Sequence, residues 1–208
     1  MDNQKTKETK GLQVIESEQV NLQEVKQEEQ EEDQEENVSI VRYDSELIYD
    51  YSSFNCGVDS INSYLRENME RDFKSSAAKP HLAVVDDEVI GFFTLASHAI
   101  EKIELKGALK ASCPYRSVSS IIIGKLAIDG FYQGDGMGKW LLGQAIKTAW
   151  ECSRDVGTKL VVLHAREGTE AFYQQAGFIQ GKHDKTLFIY PLKQYEDELR
   201  RIVEERKK

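Results

Sequence analysis

The sequence predicts a mixed α/β fold in which helices pack against one central sheet. Short apolar, strand-like runs and amphipathic helical stripes alternate from residue 38 onwards, which is the order expected of a sheet with helices on its faces. Hydrophobic residues make up 40% of the 208 residues, enough for a packed core. One long apolar strand, at 118–129, runs into a glycine-rich turn and then into a helix.

The negative charge of the chain is concentrated at its N-terminus. Residues 1–37 hold 12 acidic and 4 basic residues and no aromatic residue, which is typical of a disordered segment. A weak amphipathic helix that binds a partner is the alternative for this segment. The rest of the chain is nearly neutral, with 24 acidic and 23 basic residues, so the overall charge of -9 does not identify a partner. We expect a disordered acidic tail at 1–37, a folded domain at 38–193 and a charged helix at 194–208.

The predicted elements follow one another without an internal repeat. A strand begins near Val38, a helix covers 59–73, and two strands within 79–100 are joined by a short turn at Asp86 and Asp87. Residues 101–117 are expected to be irregular. The long strand at 118–129, a helix at 136–154 and a buried strand at 159–164 come next. A short helix at 168–176 is stopped by Gly177, and a last strand covers 187–192.

Cysteine usage and hydropathy narrow the cellular setting. The three cysteines are far apart and form no CxxC pair, which predicts free thiols in a reducing cytoplasm and no metal site. No apolar run approaches 18 residues, and no basic region followed by an apolar core opens the chain. We therefore expect a cytoplasmic protein without a membrane span or a secretory signal.

The glycine-rich turn is the strongest functional signal. Gly134, Gly136 and Gly138 alternate with Asp135 and Met137 between the long strand and its helix. Glycines let the backbone approach an anion, and the first free N–H groups of a helix point at it. The turn is neither a Walker A loop nor a GxGxxG dinucleotide motif, because the spacing differs. On the glycines alone, a tight turn without a ligand remains an alternative.

Three segments together resemble a known superfamily. Residues 133–138 (QGDGMG) match the signature Gln/Arg-x-x-Gly-x-Gly/Ala of the GNAT superfamily of acetyl-CoA-dependent N-acetyltransferases. Residues 124–129 (GKLAID) look like the central strand of that superfamily, and residues 171–178 (AFYQQAGF) are similar to its AFYxxxGF segment. The resemblance covers roughly residues 38–192. It implies a mixed, mostly antiparallel sheet whose strands splay apart at the cofactor site.

A narrower resemblance concerns the GNAT-type toxins of toxin–antitoxin modules. Residues 54–65 (FNCGVDSINSYL) are similar to the opening motif of these toxins, and GKLAID followed by YQGDGMG resembles their central segment. The resemblance implies acetylation of the amino group of aminoacyl-tRNA, an antitoxin partner and a homodimer. Two alternatives stay open: transfer to a protein or small-molecule amine, and a non-catalytic binding module.

The resemblance also implies roles for individual residues. The amides of residues 133–139 would hold the pyrophosphate of the cofactor, and the backbone of residues 126–128 would bind its pantetheine arm. Tyr173 would act as the general acid that protonates the departing thiolate, since a phenol can donate a proton to it. The implied cofactor-binding residues are Leu126, Ala127, Ile128, Gln133, Gly134, Asp135, Gly136, Met137, Gly138, Lys139 and Phe172.

Three questions remain open from the residues. The candidates for a general base are His98, Glu101 and His164, each with a structural role as its alternative. Asp135 occupies a position that is usually basic or neutral in the family, so it weakens cofactor binding unless its side chain points to solvent. A set of basic side chains either contacts RNA phosphates or forms an ordinary solvated surface: Lys102, Lys106, Lys110, Arg116, Lys139, Lys147 and Arg166.

Overall fold

The computed structural model describes residues 38–207, and the predicted acidic tail at 1–37 lies outside these residues. Seven strands form one open sheet in the order β1-β2-β3-β4-β5-β7-β6. Neighbouring strands are antiparallel except for the parallel pair β4 and β5. The strands are β1 Ser39–Arg42, β2 Lys79–Val85, β3 Glu88–Glu101, β4 Ser117–Ile128, β5 Leu160–His164, β6 Ile179–Gln180 and β7 Leu187–Pro191. The predicted α/β class is thereby confirmed.

Helices cover both faces of this sheet. The α-helices are α1 Asp59–Ser63, α2 Met69–Lys74, α3 Gly107–Ala111, α4 Met137–Ser153, α5 Glu170–Gln175 and α6 Leu192–Glu205. A π-helical turn, Tyr64–Asn68, joins α1 to α2, and 3₁₀ turns occupy Lys102–Glu104 and Gly130–Tyr132.

The core is divided by the sheet into an α4 side and an opposite side. Alternate residues of a strand point to opposite faces, so Val161 and Leu163 of β5 join the cluster beneath α4. Leu160 and Val162 instead join a cluster around α3 on the opposite side. A third cluster lies beneath α1 and α2 and contains Phe54, Leu65, Met69, Leu82 and Phe92. Gly124 of β4 and His164 of β5 are exposed.

The structure differs from the sequence prediction in several places. The predicted helix at 59–73 contains the π-helical turn, which no residue pattern signals. Residues 101–117, predicted to be irregular, contain a 3₁₀ turn and α3, held by the burial of Leu105 and Cys113. The two-residue strand β6 is too short to show a pattern. The last helix begins at Leu192, directly after β7.

Candidate active site

A notch opens where β4 and β5 part. These parallel strands pair only over three positions, Ser120–Ile122 with Leu160–Val162. Beyond them β4 stays paired with β3 as far as Ile128, and β5 stays paired with β7 as far as His164. Since no described strand bridges β4 and β5 there, β4 presents an open backbone edge to which an extended ligand can hydrogen-bond.

The hydrogen bonds between β4 and β3 show which residues of β4 direct their N–H and C=O groups to this open edge. The N–H of Asp129 donates to the carbonyl of Ile90 on β3 at 2.8 Å. Paired residues of an antiparallel ladder alternate between facing and turning away from the partner strand. Leu126 and Ile128 therefore turn their backbone groups to the open side, whereas Ala127 turns its groups to β3 and its side chain into the α1–α2 core. Two of the three predicted pantetheine-binding positions thus have suitable backbone groups.

A β-bulge explains why β4 leaves β5 at this point. Thr94 pairs with Lys125 and Leu95 with Ile123, so Gly124 is an extra residue in the ladder. The hydroxyl of buried Thr94 accepts the N–H of Lys125 at 3.0 Å, which satisfies an amide that the bulge takes out of the ladder. A bulge bends and twists its strand, here two residues after the last pair with β5. Sequence reasoning missed Thr94 and named Gly124 only within the GKLAID segment, although an isolated glycine within a strand is a known signal of a bulge.

The glycine-rich turn supplies unpaired donors beside the notch. Gly134 and Gly136 adopt positive φ values of 109° and 85°, and Gly136 is the N-cap of α4. Among residues 38–207, the amides of Gly134 to Gly138 have no backbone acceptor. The flanking amides are engaged, since Gln133 donates to Gly130 and Lys139 donates to Gly136. The donor set is therefore five amides rather than the predicted seven, at the positive end of a 17-residue helix.

The side chain of Gln133 ties the turn to its surroundings. Its Nε2 donates to the carbonyl of Ile128 at 2.9 Å and to that of Cys56 at 3.2 Å. The carboxylate of Asp129 accepts the N–H of Asn55 at 2.7 Å in the same region. The FNCG segment thus meets the glycine-rich turn, so Gln133 positions the loop through its side chain instead of offering that side chain to a phosphate.

Asp135 and Lys139 are both exposed at this turn. Within the described part of the chain, neither side chain forms an ion pair. An exposed carboxylate is screened by solvent, which limits its repulsion of a bound anion.

Helix α5 brings an aromatic pair to the glycine-rich turn. A Cβ built on Gly138 would lie 3.8 Å from the ring of Phe172, so α4 and α5 touch at this point. The ring of Tyr173 lies 5.0 Å from that of Phe172 and 5.9 Å from that of Phe178, measured between centroids. Burial raises the pKa of Tyr173, and the positive charge of Arg166 partly offsets this effect. The phenol therefore holds its proton at neutral pH and can donate it.

The three candidate bases lie at different positions in the sheet relative to the notch. Glu101 pairs with Ser117 and His98 with Ser120, both on the part of β4 that precedes the notch. Burial, with a smaller contribution from the charge of His164, lowers the pKa of His98. His164 ends β5, two residues beyond the last pair with β4. Only His164 of the three lies at the notch.

The predicted basic surface is partly committed to structural contacts. The ammonium group of Lys102 donates to the carbonyl of Cys113, and that of Lys106 donates to the carbonyl of Gln180 at 3.0 Å. Lys147 lies 4.0 Å from Glu151 one helical turn away. No ion pair in residues 38–207 involves the remaining members of the set, which are Lys110, Arg116, Lys139 and Arg166.

Three further properties of residues 38–207 bear on ligands and partners. None of their helices is long and apolar enough to cross a membrane. These residues also contain no group of three or more His, Cys, Asp or Glu side chains arranged to hold a metal ion. All three cysteines are free thiols.

Comparisons with known proteins agree with this geometry. The model of the acetyltransferase (GNAT) family matches residues 46–178. A tRNA-acetylating toxin of Mycobacterium tuberculosis (strain ATCC 25618 / H37Rv) is 28% identical over 130 residues, which are 62% of this chain and 78% of that protein.

Solved structures also superpose on most of the chain. AtaT complexed with acetyl-methionyl-tRNAfMet is 25% identical, with a TM-score of 0.75 over 78% of this chain and 99% of that chain. AtaTR bound with AcCoA is 26% identical, with a TM-score of 0.68 over 78% of this chain and 98% of that chain.

Proposed function

Because this chain belongs to the acetyltransferase (GNAT) family, we propose that it transfers the acetyl group of acetyl-CoA to the amino group of an aminoacyl-tRNA. The observation that carries the proposal is the notch between β4 and β5, which opens beside five unpaired amides at the start of α4. The acceptor follows the relatives, one named a tRNA-acetylating toxin and one solved with acetyl-methionyl-tRNA.

The two halves of the cofactor fit two different surfaces of the site. The pyrophosphate lies against the amides of Gly134 to Gly138, where the helix dipole of α4 favours negative charge. The pantetheine arm extends along the open edge of β4 and pairs with the backbone of Leu126 and with the N–H of Ile128, since the Ile128 carbonyl already accepts Gln133 Nε2. This arrangement delivers the thioester to the notch, next to α5.

The chemistry needs one proton donor on the thiol side. The amine attacks the thioester carbonyl, a C–N bond forms, and the C–S bond breaks to release a thiolate. Tyr173 donates its phenolic proton to that thiolate, and the proton that the amine nitrogen releases returns through water to the tyrosinate. Because burial raises the pKa of Tyr173, the side chain enters each turnover protonated.

The same proposal includes the biological setting. Acetyl-CoA and charged tRNA are cytoplasmic substrates, so the enzyme acts in the cytoplasm. An antitoxin protein, which the resemblance to GNAT-type toxins implies, would control it. The tRNA phosphates contact the basic side chains that form no ion pair within residues 38–207, which are Lys110, Arg116, Lys139 and Arg166.

Transfer of labelled acetyl from acetyl-CoA to a pool of charged tRNA tests the proposal. We expect label on the aminoacyl group with the wild type, and a loss of about 10²- to 10⁴-fold in Tyr173→Phe, which keeps the packing but removes the proton. Tyr115→Phe is the matched control, because Tyr115 is 75% exposed and lies before β4, outside the part of that strand that borders the notch.

Two negative outcomes have different meanings. An absence of label with intact acetyl-CoA binding would assign the enzyme to another primary amine, of a protein or a small molecule. An absence of both label and binding would favour a non-catalytic module.

A further inference from the structure

We propose that His164 is the general base that takes the proton of the acceptor amine, and that Thr186 and Asp184 orient it. The inference rests on the proposed function and extends it to the amine side of the reaction. His164 is the last residue of β5, and its side chain is 48% exposed. Thr186 and Asp184 lie on the turn that precedes β7, the strand paired with β5.

The hydrogen bonds around Thr186 determine the tautomer of His164. The Thr186 hydroxyl donates its single proton to Asp184 Oδ1 at 2.8 Å. The same oxygen lies 2.9 Å from His164 Nδ1, so in this contact it acts as the acceptor. His164 Nδ1 therefore carries the hydrogen, and Nε2 presents its lone pair. Among residues 38–207, Nε2 has no hydrogen-bond partner.

Asp184 is held in place independently of His164. Its carboxylate accepts the N–H of Thr186 at 2.8 Å, and these hydrogen bonds from Thr186 lower the pKa of Asp184. The N–H groups of His183 and Asp184 both donate to Glu104 Oε2, at 2.9 and 3.0 Å. An ionised Asp184 thus lies 3.6 Å from His164 Nδ1, and the Thr186 hydroxyl is hydrogen-bonded to both side chains.

His164 and Tyr173 approach the notch from opposite faces of the sheet. Leu163 points into the cluster beneath α4, so its neighbour His164 points to the other face. Tyr173 packs against the α4-side cluster, next to Phe178 and Phe188. The departing thiolate therefore meets Tyr173 on the α4 side of the sheet, and the arriving amine meets His164 on the opposite side.

The proton transfers balance with these two groups. The amine nitrogen forms a bond to the acetyl carbon and becomes positively charged, and it then loses a proton to His164 Nε2. The C–S bond breaks, and the thiolate takes the phenolic proton of Tyr173. Water returns the proton from the imidazolium to the tyrosinate, so the products are an amide and a free thiol. Loss of the amine proton directly to bulk water is the competing route, and it needs no His164.

Chemical rescue of His164→Ala by free imidazole separates the two routes. We expect the kcat for charged tRNA to fall about 10²- to 10³-fold, the Kd of acetyl-CoA to stay within about twofold, and added imidazole to restore at least tenfold. His183→Ala is the matched control, because His183 is exposed and contributes only its backbone N–H to the hydrogen bonds described above. It should keep its activity and show no response to imidazole.

Two results would overturn the inference. Unchanged kcat in His164→Ala would mean that the amine proton leaves through water, and a loss without rescue by imidazole would mean a structural role. Wild-type enzyme that never labels charged tRNA would overturn the proposed function itself. Normal wild-type labelling with an unaffected His164→Ala would overturn only the assignment of the base.

A second pair of variants tests the orienting residues. Thr186→Val removes the hydroxyl between His164 and Asp184, and we expect kcat to fall about tenfold with KM unchanged. Thr186→Ser keeps the hydroxyl and should keep the wild-type kcat. Equal kcat in Thr186→Val and Thr186→Ser would show that Thr186 does not orient the base.

Discussion

Replacing Gly136 by alanine tests whether the shape of the glycine-rich turn creates the anion site. Gly136 adopts φ 85° and ψ -4°, the left-handed region, at the N-cap of α4. A Cβ built there meets no atom within 4 Å, so alanine causes no clash. The perturbation is therefore confined to the backbone, which is strained at this φ for any residue with a Cβ.

The size of the effect follows from that strain. Holding an L-residue in the left-handed region costs about 1–2 kcal/mol. The free Gly136→Ala protein relieves the strain by moving the turn, and binding of the pyrophosphate restores it. If the whole strain opposes binding, the Kd for acetyl-CoA rises about 5- to 30-fold, since 1.4 kcal/mol corresponds to a factor of ten.

Titration calorimetry with acetyl-CoA measures this difference, and Gly143→Ala is its control. Gly143 lies in the same helix without a positive φ, and a Cβ there also meets no atom within 4 Å. Alanine in a helix interior stabilises by about 0.5–1 kcal/mol, so Gly143→Ala should raise Tm by a few degrees and leave the Kd unchanged. A wild-type Kd in Gly136→Ala would refute the argument that the left-handed turn arranges the amides.

Three further predictions concern the bulge, a buried histidine and the glycine-rich turn. Thr94→Val leaves the N–H of Lys125 without its acceptor and should lower the free energy of unfolding by about 1–3 kcal/mol in urea titrations. Thr94→Ser keeps a hydroxyl and should lower it less. Equal free energies of unfolding in the two variants would contradict this role of Thr94. Burial lowers the pKa of His81 to about 4 from 6.5, so the unfolded chain binds the proton first on acidification. Stability is then complete above pH 6.5 and falls by up to about 3 kcal/mol towards pH 4, and denaturant titrations of His81→Gln should lack this component. Asp135→Asn should lower the Kd of acetyl-CoA by at most about fivefold, less at high salt; a weaker affinity would show that the carboxylate is not repulsive.

Most of the architecture was predictable because its signals are local. An apolar strand, three alternating glycines and a helical stripe are contiguous in the chain, and they became β4, the turn and α4. The turn between β2 and β3 was readable for the same reason, since Asp86 and Asp87 take the positive φ values that a tight hairpin needs. The π-helical turn and β6 escaped prediction, because neither has a residue pattern of its own.

The candidate site was predictable in its residue types and only partly in their roles. The motif around Gln133 correctly indicated the loop, but the structure directs the Gln133 side chain to the carbonyls of Ile128 and Cys56. Lys102 and Lys106 counted as candidate phosphate ligands in the sequence, yet both donate to backbone carbonyls of distant segments. Such partners are separated along the chain, so composition and spacing carry no information about them.

The sequence by itself determined the class of fold and the position of the glycine-rich turn, and it predicted a phosphate site at this turn and a proton donor at Tyr173. These depend on spacings of a few residues, which fix backbone conformation and local direction. Only the tertiary structure decided that β4 leaves β5 at the Gly124 bulge, and that His164 rather than His98 or Glu101 lies at the opening. Strand register places residues side by side across the sheet, such as His164 beside Leu187 and His98 beside Ser120. Register is set by the packing of the whole core rather than by neighbours in the chain, so only the tertiary structure shows it.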